Sequence, residues 1–263
     1  MPVEAIQTKR LFQQVFEQLA KLIASGEFPI GERLPAERDL ARQLGVSRAT
    51  VREAMIALEL SGLVEVRVGS GVFVVATRRS GAAPATAAGS DGGDSIPDLG
   101  LGPFELIEAR RLIEGQVAYL AAQQIQKSDF DALEASLNLM AEEHRSGFQT
   151  ENGDRRFHVA IARATRNNAL IKMVELLWDL REASPLWAKL HERVRAAQVR
   201  PASLDDHLRV LEALRAGDPV LARETMDAHL CRVADDLLRI SEAEFAGEVD
   251  DEERRRGQRA VGR

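Results

Sequence analysis

Apolar residues recur at intervals of three or four over most of the chain, the spacing that lines one face of an α-helix. Before residue 79 this pattern predicts three helices, over about 8–24, 35–44 and 47–61. The loop "SGEFPIGERLP" separates the first two helices, and the tight turn "GVS" separates the second from the third. Pro35 suits the first turn of the second helix, and Ser47 suits the N-cap of the third.

A different pattern follows in the stretch "LVEVRVGSGVFVV" (63–75), where two β-branched runs flank Gly69-Ser70. Glycine supplies the positive φ that a tight hairpin turn needs, so these runs predict a two-stranded hairpin. Helix, helix, tight turn, helix and hairpin in this order predict a winged helix-turn-helix domain over residues 1–79.

The remainder of the chain lacks strand patterns, which makes the predicted fold class mainly α. Residues 80–102, rich in Gly, Ala, Ser, Pro and Asp, predict a flexible linker, and the charged residues 246–263 predict a disordered tail. Residues 103–245 predict an all-α bundle of six or seven helices. The amphipathic segments lie near 103–125, 128–146, 150–165, 168–192, 203–216 and 219–243.

Composition is that of a soluble globular protein, with 45% hydrophobic and 29% charged residues. No membrane-length apolar run or secretion signal is evident, and the single Cys231 suits a reducing compartment, so we expect a cytoplasmic protein without a membrane partner. The net charge of −6 is uneven: residues 1–79 hold 11 Lys and Arg against 9 Asp and Glu, and the rest hold 24 against 32. The front part can therefore contact phosphates locally.

The third predicted helix opens with "SRATVRE", a cluster typical of a recognition helix in the major groove. Arg48 and Arg52 suit guanine or phosphate, Ser47 and Thr50 suit phosphate, and Arg38 on the preceding helix can reach backbone or base. The alternative is that these are surface charges on a small packing domain. The motif order favours double-stranded DNA, bound by a homodimer at a palindromic operator.

A second candidate site starts from "DRRFH", in which Asp154 and His158 stand one helical turn apart beside the apolar stripe. His207 and His229 also fall on predicted packing faces of later helices. Four such groups buried without partners would be costly. Either each is separately hydrogen-bonded in the core, or they share a divalent cation, for which Zn²⁺, Ni²⁺ and Mn²⁺ suit nitrogen and oxygen ligands.

Arg110 lies on the apolar side of the first helix after the linker, in register with Leu106 and Val117. It either pairs with Glu114 one turn later or holds the carboxylate of a ligand bidentately. The spacing leaves both alternatives open.

The stretch "LPAERDLARQLGVSRATVREAMIALELSGLVEVRVGSGVFV" closely resembles the GntR-type winged-helix domain of bacterial transcription regulators, over about residues 8–76. The resemblance implies that Arg38, Arg48 and Arg52 contact operator DNA and that Gly69, at the wing tip, enters the minor groove. It also implies a regulator, most often a repressor, rather than an enzyme.

Residues 103–243 resemble the all-helical effector domain of the FadR subfamily, which implies that Asp154 and the three histidines bind a metal and that Arg110 serves an effector carboxylate. Two stretches, 102–122 and 177–194, resemble repressors of bacterial hexuronate utilisation, and so imply that Arg181, Trp187 and His191 lie near a sugar acid. A metal-dependent hydrolase and a pure metal sensor are the competing hypotheses for the same cluster.

Overall fold

The computed structural model describes residues 10–67, 69–77, 99–147, 152–196 and 201–245. The chain forms two compact units, of which the second, called here the helical unit, spans Gly100–Leu238. The helices and strands before residue 77 belong to the first compact unit, and they are called here the winged-helix unit. Most of the expected linker and all of the expected tail lie outside the described residues, so both stay predictions.

The winged-helix unit begins with three helices, α1 (Leu11–Ala24), α2 (Glu37–Leu44) and α3 (Arg48–Leu60). Helix α1 buries one apolar face, as its periodicity predicts. That face consists of Phe12, Val15, Phe16, Leu19 and Ile23. Helix α2 starts later than expected, because Ala36 is still extended (φ −61°, ψ 145°) and Pro35 therefore lies before the helix.

A hairpin completes this unit. Strands β1 (Val64–Arg67) and β2 (Gly71–Val74) pair antiparallel, with Val64 opposite Val74. Gly69 at the tip has φ +72°, the left-handed conformation that the turn prediction required. The predicted wing is therefore confirmed.

The helical unit contains α4 (Pro103–Ala122), α5 (Lys127–Arg145), α6 (Asn152–Ala164), α7 (Asn168–Ala183), α8 (Pro185–Ala196), α9 (Pro201–Arg215) and most of α10 (Pro219–Phe245). The segment predicted as one helix over 168–192 is two helices. Ser184 is extended (ψ 117°) because the proline ring that follows excludes helical geometry at the preceding residue. The described residues thus hold seven helices after residue 102, the upper end of the expectation.

Helix α6 is seated tightly against α5. A Cβ on Gly153 would lie 2.6 Å from both the backbone N and Cγ of Met140, so only glycine fits this approach. Buried Glu143 of α5 accepts hydrogen bonds from the backbone N–H groups of Asn152 (2.9 Å) and Gly153 (3.0 Å). These contacts fix the first turn of α6, which carries Asp154, in position. No described helix is both long and apolar enough to cross a bilayer.

Candidate metal centre

Four side chains from three helices converge inside the helical unit. Asp154 and His158 stand on one face of α6, His207 comes from α9 and His229 from α10. One potential ligand atom from each lies within 4.8 Å of every other. All three imidazoles are buried, while Asp154 is half-buried. The helix faces predicted from sequence bring these groups together, although Leu208, the residue after His207 on α9, is exposed.

The shortest distances define the centre of the cluster. His207 Nε2 lies 3.0 Å from Asp154 Oδ1 and 3.3 Å from His158 Nε2. His158 Nε2 lies 3.3 Å from the same carboxylate oxygen. Two imidazole nitrogens and one carboxylate oxygen thus meet at one point, and His229 lies next to them, its ring centroid 4.3 Å from that of His207. This donor set of three nitrogens and one oxygen fits a divalent transition metal.

The protonation states suit the same role. Burial and the neighbouring His207 lower the pKa of His229 to about 3, so its ring is neutral at physiological pH, as a metal ligand must be. Burial opposes the ionised form of Asp154, but hydrogen bonds with His158 and His207 outweigh it and hold its pKa well below the usual range. His229 and Asp154 therefore offer a neutral nitrogen and an anionic oxygen.

Glu114, on α4, contacts His158 from behind. Its Oε2 meets His158 Nδ1, and its Oε1 accepts a hydrogen bond from Arg110 Nε at 2.6 Å. Burial alone would raise the pKa of Glu114, but the charges of Arg110 and His158 outweigh it and lower that pKa to about 2. Because a carboxylate holds Nδ1, the Nε2 of His158 faces Asp154 and His207.

Burial by itself would lower the pKa of His158, but the charge of Glu114 and the hydrogen bond with Asp154 raise it above the usual value. An imidazole ring with one carboxylate at each of its two nitrogens marks a position that favours positive charge, from a proton or from a cation. Sequence reasoning missed Glu114 as a partner of His158, since the two residues are 44 positions apart on different helices.

Arg110 is buried, as its place on the apolar side of α4 predicts, and of its two alternative roles the structure shows the pair with Glu114. The contacts use Nε and Nη2, at 2.6 and 3.5 Å. The guanidinium also lies over the ring of Trp178, 4.2 Å from its centroid. Arg110 is therefore engaged by a protein carboxylate and is not an open clamp in this structure.

The residues expected near an effector fall into two groups. Arg181 is buried and lies over two indole rings, 4.6 Å from the centroid of Trp178 and 4.4 Å from that of Trp187. Trp178 in turn lies 5.4 Å, centroid to centroid, from His158. Arg181 and Trp187 thus connect to the metal cluster through Trp178, which was not among the predicted effector contacts. His191 lies half-buried on α8, one turn after Trp187.

The winged-helix unit presents the start of α3 to solvent. Ser47 is the predicted N-cap, and its Oγ accepts a hydrogen bond from the backbone N–H of Thr50 at 3.1 Å. The two hydroxyl oxygens of Ser47 and Thr50 are 2.8 Å apart. Arg48, and Arg38 on α2, are exposed, while Gly69 is at the tip of the wing. These residues, which the sequence predicts to contact DNA, are therefore accessible at the surface of the winged-helix unit.

Arg52 requires a correction. It was expected on the DNA-contacting surface, but its side chain is fully buried, and its Nε and Nη2 donate to the two carboxylate oxygens of Glu37 on α2. The cause is the packing of α3, whose residues from Val51 to Leu58 are all buried. In this structure Arg52 joins α2 to α3 instead of facing DNA.

Two family descriptions match separate parts of the chain. "Bacterial regulatory proteins, gntR family" matches residues 11–74, and "FCD domain" matches residues 105–232. The Uxu operon transcriptional regulator of Escherichia coli (strain K12) is 38% identical over 243 residues, which cover 90% of each chain. The chain belongs to the GntR family.

Other relatives are also regulators or share sequence over most of the chain. The Exu regulon transcriptional regulator of Escherichia coli (strain K12) is 39% identical over 232 residues, 87% of this chain and 84% of that one. Among solved structures, E. coli McbR/YncC is 24% identical with a TM-score of 0.46, covers 88% of this chain and 99% of that chain, and is too distant to bear on function.

The family assignment makes the protein a DNA-binding transcription regulator and not an enzyme, so the hydrolase hypothesis is wrong. The four candidate metal ligands and Glu114 fall inside the FCD match, and the capped start of α3 falls inside the GntR match. The two sites thus belong to different parts of one regulator.

Proposed function

We propose that this regulator binds a divalent cation through Asp154, His158, His207 and His229, and is released from its operator by a small carboxylate that binds beside the metal. The observation that carries the proposal is the convergence of four ligand atoms within 4.8 Å in a buried site. Zn²⁺ is the first candidate, with Ni²⁺ and Mn²⁺ as alternatives that accept larger coordination shells.

The charge at the cluster supports a carboxylate effector. One ionised aspartate and three neutral imidazoles leave a divalent cation with a net charge of +1. The nearby Glu114 does not change this balance, since Arg110 neutralises it. A buried unpaired charge is costly, and one carboxylate group removes it. Sugar acids add an oxygen next to the carboxylate, which gives a chelating pair for the open coordination positions.

The surroundings of Trp178 support the same class of ligand. The guanidinium groups of Arg110 and Arg181 both lie on this ring, which is next to His158. We place the effector against this group, with Trp187 and His191 as further contacts. The choice of a hexuronate, such as glucuronate or galacturonate, rests on the sequence resemblance and not on the geometry.

For the DNA side, we propose that Arg38, Ser47, Arg48, Thr50 and Gly69 contact a palindromic operator as part of a homodimer. Helix-turn-helix dimers read two half-sites about one helical turn apart. Arg52 is left out of this set because it is buried against Glu37. An effector can weaken binding only if it prefers the arrangement in which the two recognition helices are wrongly spaced, and a coupling of about 1–3 kcal/mol is ordinary.

The deciding experiment is a titration of operator complexes. The operator is a duplex selected from random DNA with the zinc-loaded protein, and binding is followed by fluorescence anisotropy at fixed salt. We expect glucuronate or galacturonate to release the wild type, and His207→Ala, which lacks a metal ligand, to stay bound. L-lactate, a smaller hydroxy acid, tests whether any chelating carboxylate suffices.

Each outcome decides between the hypotheses. Operator affinity that changes when zinc is removed, with no response to any acid, would support the pure metal sensor. No release by any acid tested would reject a carboxylate effector, and release by L-lactate but not by hexuronates would reject the sugar-acid class. Equal zinc content in the wild type and His207→Ala would reject the metal site.

The same assay tests the recognition helix. Arg48→Ala should weaken operator binding by about 1–3 kcal/mol and relax sequence preference at one position of each half-site. The matched control is Arg145→Ala, which removes an exposed arginine from the helical unit. Equal operator affinity in both variants would reject Arg48 as a base-reading residue.

A further inference from the structure

A second buried carboxylate stands behind the metal cluster. Asp206 on α9 is 3% exposed, and its Oδ2 lies 3.7 Å from Nδ1 of His229 on α10. Within the part of the chain that the structure describes, neither of these two buried atoms has a hydrogen-bond partner. Buried polar atoms nearly always have one, so an unfilled acceptor that faces an unfilled ring nitrogen calls for a physical reason.

The other oxygen of Asp206 is held firmly. Its Oδ1 accepts from Arg232 Nη2 at 2.8 Å and from Arg209 Nη1 at 3.3 Å. Two guanidinium groups thus anchor the carboxylate through one oxygen and offset its charge. The second oxygen is left directed at His229.

This arrangement repeats the one around His158. There, Glu114 contacts Nδ1 of the histidine while Arg110 binds the carboxylate. In both cases Nδ1 of the histidine faces a carboxylate, in contact at His158 and at 3.7 Å at His229, and that carboxylate binds an arginine. Metal-binding histidines commonly donate their second N–H to a carboxylate, which fixes the tautomer and the ring orientation.

We propose that Asp206 is a positioning residue for the metal, which holds His229 with a proton on Nδ1 and its Nε2 directed at the cation. The inference rests on the proposed metal site and adds to it a residue that the four-ligand motif does not include. A hydrogen bond from Nδ1 to Oδ2 requires the present gap of 3.7 Å to shorten by about 0.5–1 Å, and a small rotation of the ring on metal binding would bring this about. Metal binding therefore satisfies both unfilled atoms at once.

The test compares Asp206→Ala and Asp206→Asn with Asp205→Ala in the full-length protein. Asp205 is the neighbouring residue and is exposed, so its variant removes the same charge without touching His229. Zinc affinity is measured by competition with a chromophoric chelator. We expect Asp206→Ala to bind zinc about 10–100-fold more weakly, Asp206→Asn to fall between it and the wild type, and Asp205→Ala to match the wild type.

A second readout separates positioning from folding. In the zinc-loaded wild type, nitrogen-15 NMR of the histidine side chains should show His229 bound through Nε2, with a hydrogen-bonded Nδ1 proton far downfield. That proton signal should move upfield in Asp206→Asn and be lost in Asp206→Ala. A purely structural role for Asp206 would lower the melting temperature of the metal-free protein and leave this signal in place.

The outcomes of the two proposals differ. A wild type that binds no zinc would overturn the metal site and this inference together. A wild type that binds zinc, with affinity and Nδ1 signal unchanged in the Asp206 variants, would overturn the inference alone. If Asp206→Ala does not fold, the isosteric Asp206→Asn decides by the same two measurements.

Discussion

Each unit of the protein contains a buried arginine–glutamate pair, and the two pairs differ in what the carboxylate does. In the winged-helix unit, both carboxylate oxygens of Glu37 accept from the guanidinium of Arg52. In the helical unit, Glu114 divides its oxygens: Oε1 is 2.6 Å from Nε of Arg110, and Oε2 contacts Nδ1 of His158. The first pair joins α2 to α3, whereas the second extends an ion pair to a candidate metal ligand.

The difference shows how one chemical pair serves two purposes. Both ions of a buried pair lose their hydration, which costs free energy. Removing one partner is strongly destabilising, because the other charge then stays buried without compensation. Glu37 and Arg52 use that penalty to fix the packing of the recognition helix. Glu114 also forms a buried ion pair, but its second oxygen contacts a histidine. Its loss should therefore affect metal binding as well as stability. Loss of the two glutamates should therefore be measurable by different assays.

The largest effect should come from Glu37→Ala. It leaves the fully buried Arg52 without its carboxylate, which should destabilise the winged-helix unit by about 3–5 kcal/mol. Both tryptophans of the chain, Trp178 and Trp187, lie in the helical unit. Urea unfolding of the variant should thus show an early loss of circular dichroism without a change in tryptophan fluorescence.

The control for this variant is Glu65→Ala on the wing. Glu65 pairs with Arg67, but both side chains are more than half exposed, so the loss should be within about 1 kcal/mol. Zinc affinity should be unchanged in both variants, since neither residue belongs to the helical unit. Similar stability losses at positions 37 and 65 would contradict the view that the buried pair holds α2 to α3.

The next effect in size concerns Glu114→Gln, which preserves shape but removes the charge next to His158. We expect zinc affinity to fall about 10–100-fold, equivalent to about 1.4–2.7 kcal/mol. Isothermal titration with zinc measures the change, and Glu37→Gln is the matched control because it alters the corresponding glutamate of the other pair. Equal zinc affinity in both variants would show that Glu114, like Glu37, only stabilises packing.

Sequence periodicity predicted the elements of both units and the helix faces that bring Asp154 and the three histidines together. The spacing also offered the Arg110–Glu114 pair as one of two alternatives, because residues four positions apart on a helix are neighbours. It could not predict the Glu37–Arg52 pair, since the residues are 15 positions apart on separate helices. Arg52 was assigned to DNA because it is one turn from Arg48, and the linear pattern cannot show that the middle of α3 is buried on all sides.

Two further features had weak or no sequence signals. Pro185 was a usable signal for the break between α7 and α8, because proline restricts the residue before it, but the strong apolar periodicity on either side concealed it. Asp206 gave no signal, because its role depends on how α9 and α10 pack. A charged residue next to His207 looks the same in sequence whether it faces solvent or a histidine.

The smallest expected effect comes from removing one helix N-cap in each unit. Ser47 caps α3 through Oγ, 3.1 Å from the backbone N–H of Thr50, and Asn167 caps α7 through Oδ1, 3.0 Å from that of Ala169. Ser47→Ala and Asn167→Ala should each cost about 1 kcal/mol of stability. Circular dichroism should report the first and tryptophan fluorescence the second, because the tryptophans lie only in the helical unit. Ser47→Ala should also weaken operator binding if the hydroxyl meets a phosphate. Weaker operator binding with unchanged stability would mean that Ser47 contacts DNA but does not stabilise the helix as a cap. Lower stability with unchanged operator affinity would mean that Ser47 acts only as a cap.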